Sequence, residues 1–282
     1  DTMAKTPRLP LPIPVRMGLV GHGGVPVSFR LSPDGPLEDE HVVLVSSATY
    51  LQPVYPEARG KVVPSLLRNF SAPVILRDDL TACERLHLLT YDADMFNRWD
   101  AAQSLLAEQV LAVAIDPNMT CDSKAMSALA GAFANALESS ELLDMFKSGL
   151  LALPAISVLE SLIKPADPVV LFYARRKVEA ELGRLLAFNI SAVLARHSTP
   201  LNASNETSDL DMRKAAGGRA LLNRLLSLAV AAGDQGAIEF AEAQVHEQNM
   251  TLSLGAIAAL NHCDHPARTN ALQCFHDRWQ EN

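Results

Sequence analysis

Long apolar runs are missing from this chain of 282 residues. The apolar segments, such as Val110 to Ile115 and Leu150 to Leu153, fall far short of the roughly 20 residues a bilayer-spanning helix requires, which excludes a helical membrane span. Basic excess is missing too. Lys and Arg number 24 against 32 Asp and Glu, for a net charge of -8, and no basic stripe is present, so binding to a phosphate backbone is excluded as a function. Cysteine is scarce: Cys83, Cys121, Cys263 and Cys274 are scattered and read as reduced thiols, not as a disulfide framework. The stretch Asp1 to Arg8 has no apolar core of the kind a signal peptide carries. Sequons at Asn69, Asn118, Asn189, Asn202, Asn205 and Asn249 point toward secretion, but several fall on predicted helices, and the expected compartment is the cytoplasm.

Motifs that carry chemistry are also absent. No His-Glu-x-x-His zinc motif occurs. The nearest string starts at His246-Glu247, but Met250 stands where the second histidine is needed, and a thioether is a poor substitute for imidazole on zinc. Glu247 therefore reads as a solvent-facing helix residue. No Gly-x-Ser-x-Gly elbow is present. Gly21-His22-Gly23-Gly24 lacks the Gly-Lys-Ser/Thr ending of a phosphate loop and leads into a predicted strand, so it reads as a turn. His262, Cys263, His265, Cys274 and His276 gather near the end of the chain, yet the amphipathic pattern of that segment accounts for Cys274 without a metal. Arg98 and Asp100 flank Trp99, a setting in which an Arg can bind carboxylates or stack on rings; a structural role at a helix start is the stronger reading. Glu179 and Glu181 fall on opposite helix faces and do not form an acid/base pair. No catalytic, cofactor-binding or metal-ligating residue is expected in the chain.

What is present is a change of pattern along the sequence. Before about residue 77, Ile13 to Val20 and Val25 to Leu31 alternate roughly with period two around the Gly21 to Gly24 turn, which predicts a hairpin. Val42 to Val45 and Val74 to Leu76 are further candidate strands, and the many prolines suit edges and loops. From about Leu80 the apolar residues recur at three- and four-residue steps. Asp94 stands as an N-cap, with Met95, Trp99, Ala102, Leu106, Val110 and Val113 as one apolar face. Asp167-Pro168 is the clearest helix start, a capping carboxylate followed by Pro at the first helical position, with Leu171, Ala174, Val178, Leu182 and Leu185 as the buried stripe. Similar segments recur near 80–90, 123–137, 140–150, 154–163, 210–231, 235–247, 251–261 and 266–280. About half of the residues are apolar, the usual share for a globular protein. The expectation is a mainly α protein: residues 1–77 a small β-sandwich, residues 78–282 an α-helical superhelix of antiparallel pairs, inferred from helix succession because no fixed-length repeat is visible.

Periodicity does not explain the order of Phe96-Asn97-Arg98-Trp99-Asp100-Ala101-Ala102-Gln103. That string resembles the start of the large helical domain of the aminopeptidase N family, bacterial-type alanyl aminopeptidases among the gluzincin zinc metallopeptidases. Leu66-Leu67-Arg68-Asn69-Phe70-Ser71-Ala72-Pro73-Val74 is similar to the segment joining the family's small β domain to its helices. His246 to Thr251 and the ending Phe275 to Asn282 also fit. The resemblance implies a β domain plus the first part of a helical domain, truncated at its C-terminus and without the catalytic domain. It further implies that zinc and catalysis belong to the parent enzyme, which removes N-terminal residues from peptides, with this region capping the active-site cleft. The chain alone is expected to be inactive, its partners being the catalytic domain of the same polypeptide and the parent's peptide substrates. The alternative expectation is a stand-alone α-solenoid scaffold with a β module that acts by protein binding.

Overall fold

The computed structural model describes residues 11–47, 49–57, 60–116, 123–196, 208–261 and 263–280. Cys121, His262 and the sequons at Asn118, Asn202 and Asn205 lie outside the described residues. The chain divides into two compact units, Asp1–Ala101 and Ala102–Asn282. It is mainly α, with a small β region first and helices after it.

In the first unit, β1 (Ile13–Val20) is central in a three-stranded antiparallel sheet, between β3 (Glu40–Val45) and β5 (Val63–Leu66). Its partners run from Ile13↔Val45 to Gly18↔Glu40 on one side and from Met17↔Leu66 to Val20↔Val63 on the other. β2 (Phe29–Arg30) and β4 (Tyr55–Pro56) form a second, two-stranded sheet. Met17, Leu19, Val27, Phe29 and Val43 make the core; each such side chain, taken fully out of water, contributes about 1.5–3 kcal/mol. The turn after β1 has the predicted left-handed glycines, with φ +64° at Gly23 and +85° at Gly24. The predicted hairpin forms next to this turn but does not run the length of β1. Its first rungs form, with the Gly21 N–H donating to the Val25 carbonyl at 2.8 Å and the Val27 N–H to the Leu19 carbonyl at 3.0 Å around the bridge Val20↔Pro26; from Gly18 back β3 holds that edge of β1, so the segment leaves it and adds only the short β2. Val74 to Leu76 is not a strand either: no strand among the described residues pairs with it, and Ile75 is 91% exposed.

The unit continues through α1 (Ala82–Tyr91) and the first residues of α2 (Met95–Ile115). α1 begins with a capping box, in which the Thr81 side chain accepts from the Glu84 N–H and the Glu84 carboxylate accepts from the Thr81 N–H, satisfying two donors the helix cannot use internally. Asp94 caps α2 as expected, accepting from the Asn97 N–H at 2.9 Å.

The second unit holds the rest of α2, with Ala102, Leu106, Val110 and Val113 buried. After it come α3 (Ser123–Glu138), α4 (Asp144–Leu150), α5 (Ile156–Leu162), α6 (Pro168–Leu185), α7 (Ala187–Arg196), α8 (Asp209–Ala231), α9 (Gln235–Val245), α10 (Met250–Leu260) and α11 (Pro266–Trp279). The capping residues are legible: Asp167, Ser208, Asp234 and Asn249 each accept from backbone N–H groups of the helix that follows. α8 is the spine, packing against α4, α6, α7, α9 and α10. Two close approaches permit this. Gly183 of α6 faces the Leu228 carbonyl, and Gly255 of α10 faces the Asn223 side chain, both on α8, leaving no room for a Cβ. On α6 the stripe Leu171, Ala174, Val178 and Leu182 is buried, while Leu186 instead of Leu185 completes it. α7 is not among the predicted helices, because neither Pro nor Gly separates it from α6; the break is a single residue, Leu186, whose φ/ψ of -95° and 6° leaves the helical region.

Candidate functional site

The most constrained place in the first unit is the turn that leaves β5. Leu67, Asn69 and Phe70 all have positive φ, at 57°, 53° and 51°, a conformation that costs a residue with a Cβ on the order of 1–3 kcal/mol. What holds the turn is Arg68, only 7% exposed. Its Nε donates to Ser65 Oγ, its Nη1 to Glu40 Oε1 and its Nη2 to Asp92 Oδ1, each at 2.8 Å. Asp92 Oδ1 also accepts from the Asp94 N–H at 3.0 Å. Asp94 then uses both oxygens, Oδ1 to cap α2 and Oδ2 to accept the Asn69 N–H at 2.7 Å. Asn97 Nδ2 donates to Ser65 Oγ at 2.6 Å. One carboxylate thus pairs with the buried guanidinium and the next fixes the left-handed Asn69. Desolvating these charges is costly, and multiple charge-assisted hydrogen bonds offset that cost.

Arg68 stands in the recognised string but carries no periodic signal, and its role was not legible in the sequence. The structure gives Arg68 the task of tying loops together, where the sequence pointed to a structural role for Arg98. Arg98 instead donates its Nε to the Leu89 carbonyl at 2.9 Å; burial lowers its pKa from the usual arginine range, while the nearby Asp92 charge opposes this. Asp100 lines a cleft of about 310 Å³ together with Asp78, Arg85, Asn97, Leu66 and Leu88. Crowding by these walls raises the Asp100 pKa; the Arg85 charge pulls it down, and the Asp78 charge adds to the rise. Met95 and Trp99 do not join the buried face of α2: they are 44% and 38% exposed. The polar clamp occupies the inner side of this first turn.

In the second unit, Glu179 is buried, with Arg175 and Arg176 Nη1 each 3.8 Å from its Oε2. Glu181 pairs instead with Arg184, whose Nε lies 2.9 Å from it, so the two carboxylates do face different partners. Glu247 lies beyond the end of α9, in the turn before α10, and its carbonyl accepts from Arg278; it is not the helix residue the sequence suggested. His246 contacts Cys274 Sγ at 3.5 Å, His265 caps α11, and Cys263 donates to the Leu260 carbonyl. These residues have separate partners. Among the described residues no group of three His, Cys, Asp or Glu is placed to hold a metal ion. Nor is any helix among them long and apolar enough to cross a membrane.

Residues 82–282 match the family model DUF3458_C, described as a domain of unknown function with ARM repeats. The chain belongs to that family. Residues 1–79 match DUF3458, a domain of unknown function with an Ig-like fold. Aminopeptidase N of Caulobacter vibrioides is 31% identical over 249 residues, 86% of this chain and 27% of that protein. Aminopeptidase N of Escherichia coli is 27% identical over 262 residues, 92% of this chain and 28% of that protein. The chain therefore spans little more than a quarter of the length of these relatives, and the resemblance to aminopeptidase N extends through most of it. A solved structure of Legionella pneumophila aminopeptidase A in complex with aspartic acid shares the fold, with a TM-score of 0.75 at 21% identity, over 96% of this chain and 30% of that one.

Proposed function

We propose that this DUF3458_C family member is the non-catalytic β and helical region of a zinc aminopeptidase that removes N-terminal residues from peptides. The observation that carries the reading is coverage: relatives named aminopeptidase N align with 86–92% of this chain, yet the alignment takes in only 27–28% of each of them. In this reading the zinc, the His-Glu-x-x-His motif and the peptide-amine site belong to the catalytic domain of the same polypeptide, whose partners are peptide substrates. The helical unit caps the cleft and restricts access, and the chain alone is inactive. The functional boundary falls near residues 77 and 78, where the β region gives way to helices, and the parent works in the cytoplasm.

The test is to express the complete reading frame and this chain separately, and to measure zinc content and hydrolysis of an aminoacyl anilide. The parent is expected to carry stoichiometric zinc and to hydrolyse the anilide, and this chain to do neither. Zinc or hydrolysis with this chain alone overturns the assignment of the chemistry elsewhere. A reading frame that encodes no metallopeptidase domain favours a protein-binding scaffold.

A further inference from the structure

The left-handed turn has a product. It projects Phe70 out of the first unit, 54% exposed, with its ring centroid 5.2 Å from that of Phe96, which lies 6.0 Å from that of Trp99. Met95, one helical turn before Trp99 on the same side of α2, is also exposed. Three aromatic rings and a thioether therefore form one contiguous apolar platform. Asn69 and Asp100, next to Phe70 and Trp99 in the chain, are exposed as well. None of these residues belongs to the core cluster of the sheets, and glycine would adopt the same backbone without strain. Instead, three residues bearing side chains are held left-handed by a buried arginine and two carboxylates. Strain that is fixed from beneath and that displays aromatic rings to solvent marks an interaction surface, and aromatic residues are enriched at interface cores.

We propose that the Phe70, Phe96 and Trp99 platform is the docking surface for the catalytic domain of the same polypeptide, an inference that rests on the functional reading above. The relatives devote nearly three quarters of their length to sequence outside the stretch matched here, so a polypeptide of that kind holds a large body able to cover the platform. A rigid set of rings suits a fixed apolar counterface better than peptides of varied sequence.

Met95→Cys places a reactive thiol on the platform without removing a ring. Its alkylation rate, read at that residue by peptide mass spectrometry, is to be compared between this chain and the complete parent, with hydrolysis by the unsubstituted parent measured alongside. Labelling is expected to be at least about fivefold slower in the parent, a degree of shielding that a buried interface core provides. Any smaller difference, with the parent active, overturns the docking surface while leaving the functional reading intact. Protection that grows with the concentration of this chain alone assigns the platform to a second copy. Protection in the parent only when a peptide inhibitor is added assigns it to substrate. Either result overturns the proposed occupant. A complete parent that does not hydrolyse the anilide fails the functional reading itself, and the inference falls with it.

Discussion

The guanidinium of Arg68 fills the space where a side chain at Gly18 would begin: a Cβ there would stand 2.5 Å from Arg68 Cζ and Nη1. The absence of a side chain in mid-strand is thus what admits the buried arginine. Gly18→Ala is expected to push the guanidinium off Asp92 and to destabilise the first unit by about 1–3 kcal/mol, the usual cost of overpacking. Urea denaturation of the variant against the parent sequence measures this; an unchanged midpoint contradicts the close approach.

Arg68→Met should cost more. It leaves Asp92, whose side chain is fully buried, without its cation, and breaking a buried pair by removing one partner costs about 3–5 kcal/mol. Because Asp92 and Asp94 are linked through the backbone of the same turn, the variant should also release the left-handed segment, seen as faster amide exchange at Asn69. Restoring neutrality with Arg68→Met and Asp92→Asn together should recover part of the loss, and a double-mutant cycle reads the coupling.

Acid should weaken the start of α1. The Thr81 N–H, the Thr81 hydroxyl and Lys61 hold the Glu84 pKa down to about 2, from 4.5. A folded-state pKa below the unfolded one means that the ionised form favours folding. That contribution is complete above pH 4.5 and disappears as pH falls toward 2. Glu84→Gln should therefore be less stable than the native sequence at pH 7 and converge with it near pH 2 in thermal melts. Thr81→Ala, which removes the other half of the box, should cost about 1 kcal/mol.

Asp100 carries the opposite sign. Partial desolvation by the walls of its cleft raises its pKa in the folded state, so the ionised form disfavours folding. The relative advantage of the protonated form is complete below pH 3.8 and is lost as pH rises through the folded pKa. Asp100→Asn is expected to raise the thermal midpoint at pH 7 by a small amount, equivalent to no more than about 0.5 kcal/mol at a position that reaches solvent. The difference should fade below pH 3.8.

In the helical unit, Gly183→Ala would set a methyl group against the Leu228 carbonyl of α8. Backbone cannot yield as a flexible side chain does. The expected loss is at least about 1–3 kcal/mol, with increased hydrogen exchange confined to α6 and α8. Exchange spread evenly through the first unit as well would contradict the local origin of the effect.

Local chemistry made much of the fold legible. Asp94, Asp167 and the period of Leu171, Ala174, Val178 and Leu182 announce their helices because a cap or a stripe acts over a few residues. The hairpin expected at Gly21 to Gly24 is cut short for a non-local reason: Val27 reaches Leu19, but from Gly18 back β3, distant in sequence, takes that edge of β1. The end of α6 was invisible because Leu186 is an ordinary helix former that leaves the helix only in context. Of the candidate site, Trp99 and Arg98 were noticed, but their settings were not. Trp99 fits an apolar stripe and yet is partly exposed, and the buried role belongs to Arg68.

The sequence by itself determined the succession of a β region and capped amphipathic helices, the lack of a zinc-peptidase motif, and the resemblance to aminopeptidase N, since each is written in residue types at short spacing. Only the tertiary structure decided that Gly18 makes room for Arg68, that Asp92 and Asp94 receive it and the left-handed turn, and that Phe70 stands beside Phe96. Those relations join residues tens of positions apart, and a left-handed Leu, Asn or Phe leaves no mark on the sequence until a buried ion pair holds it there.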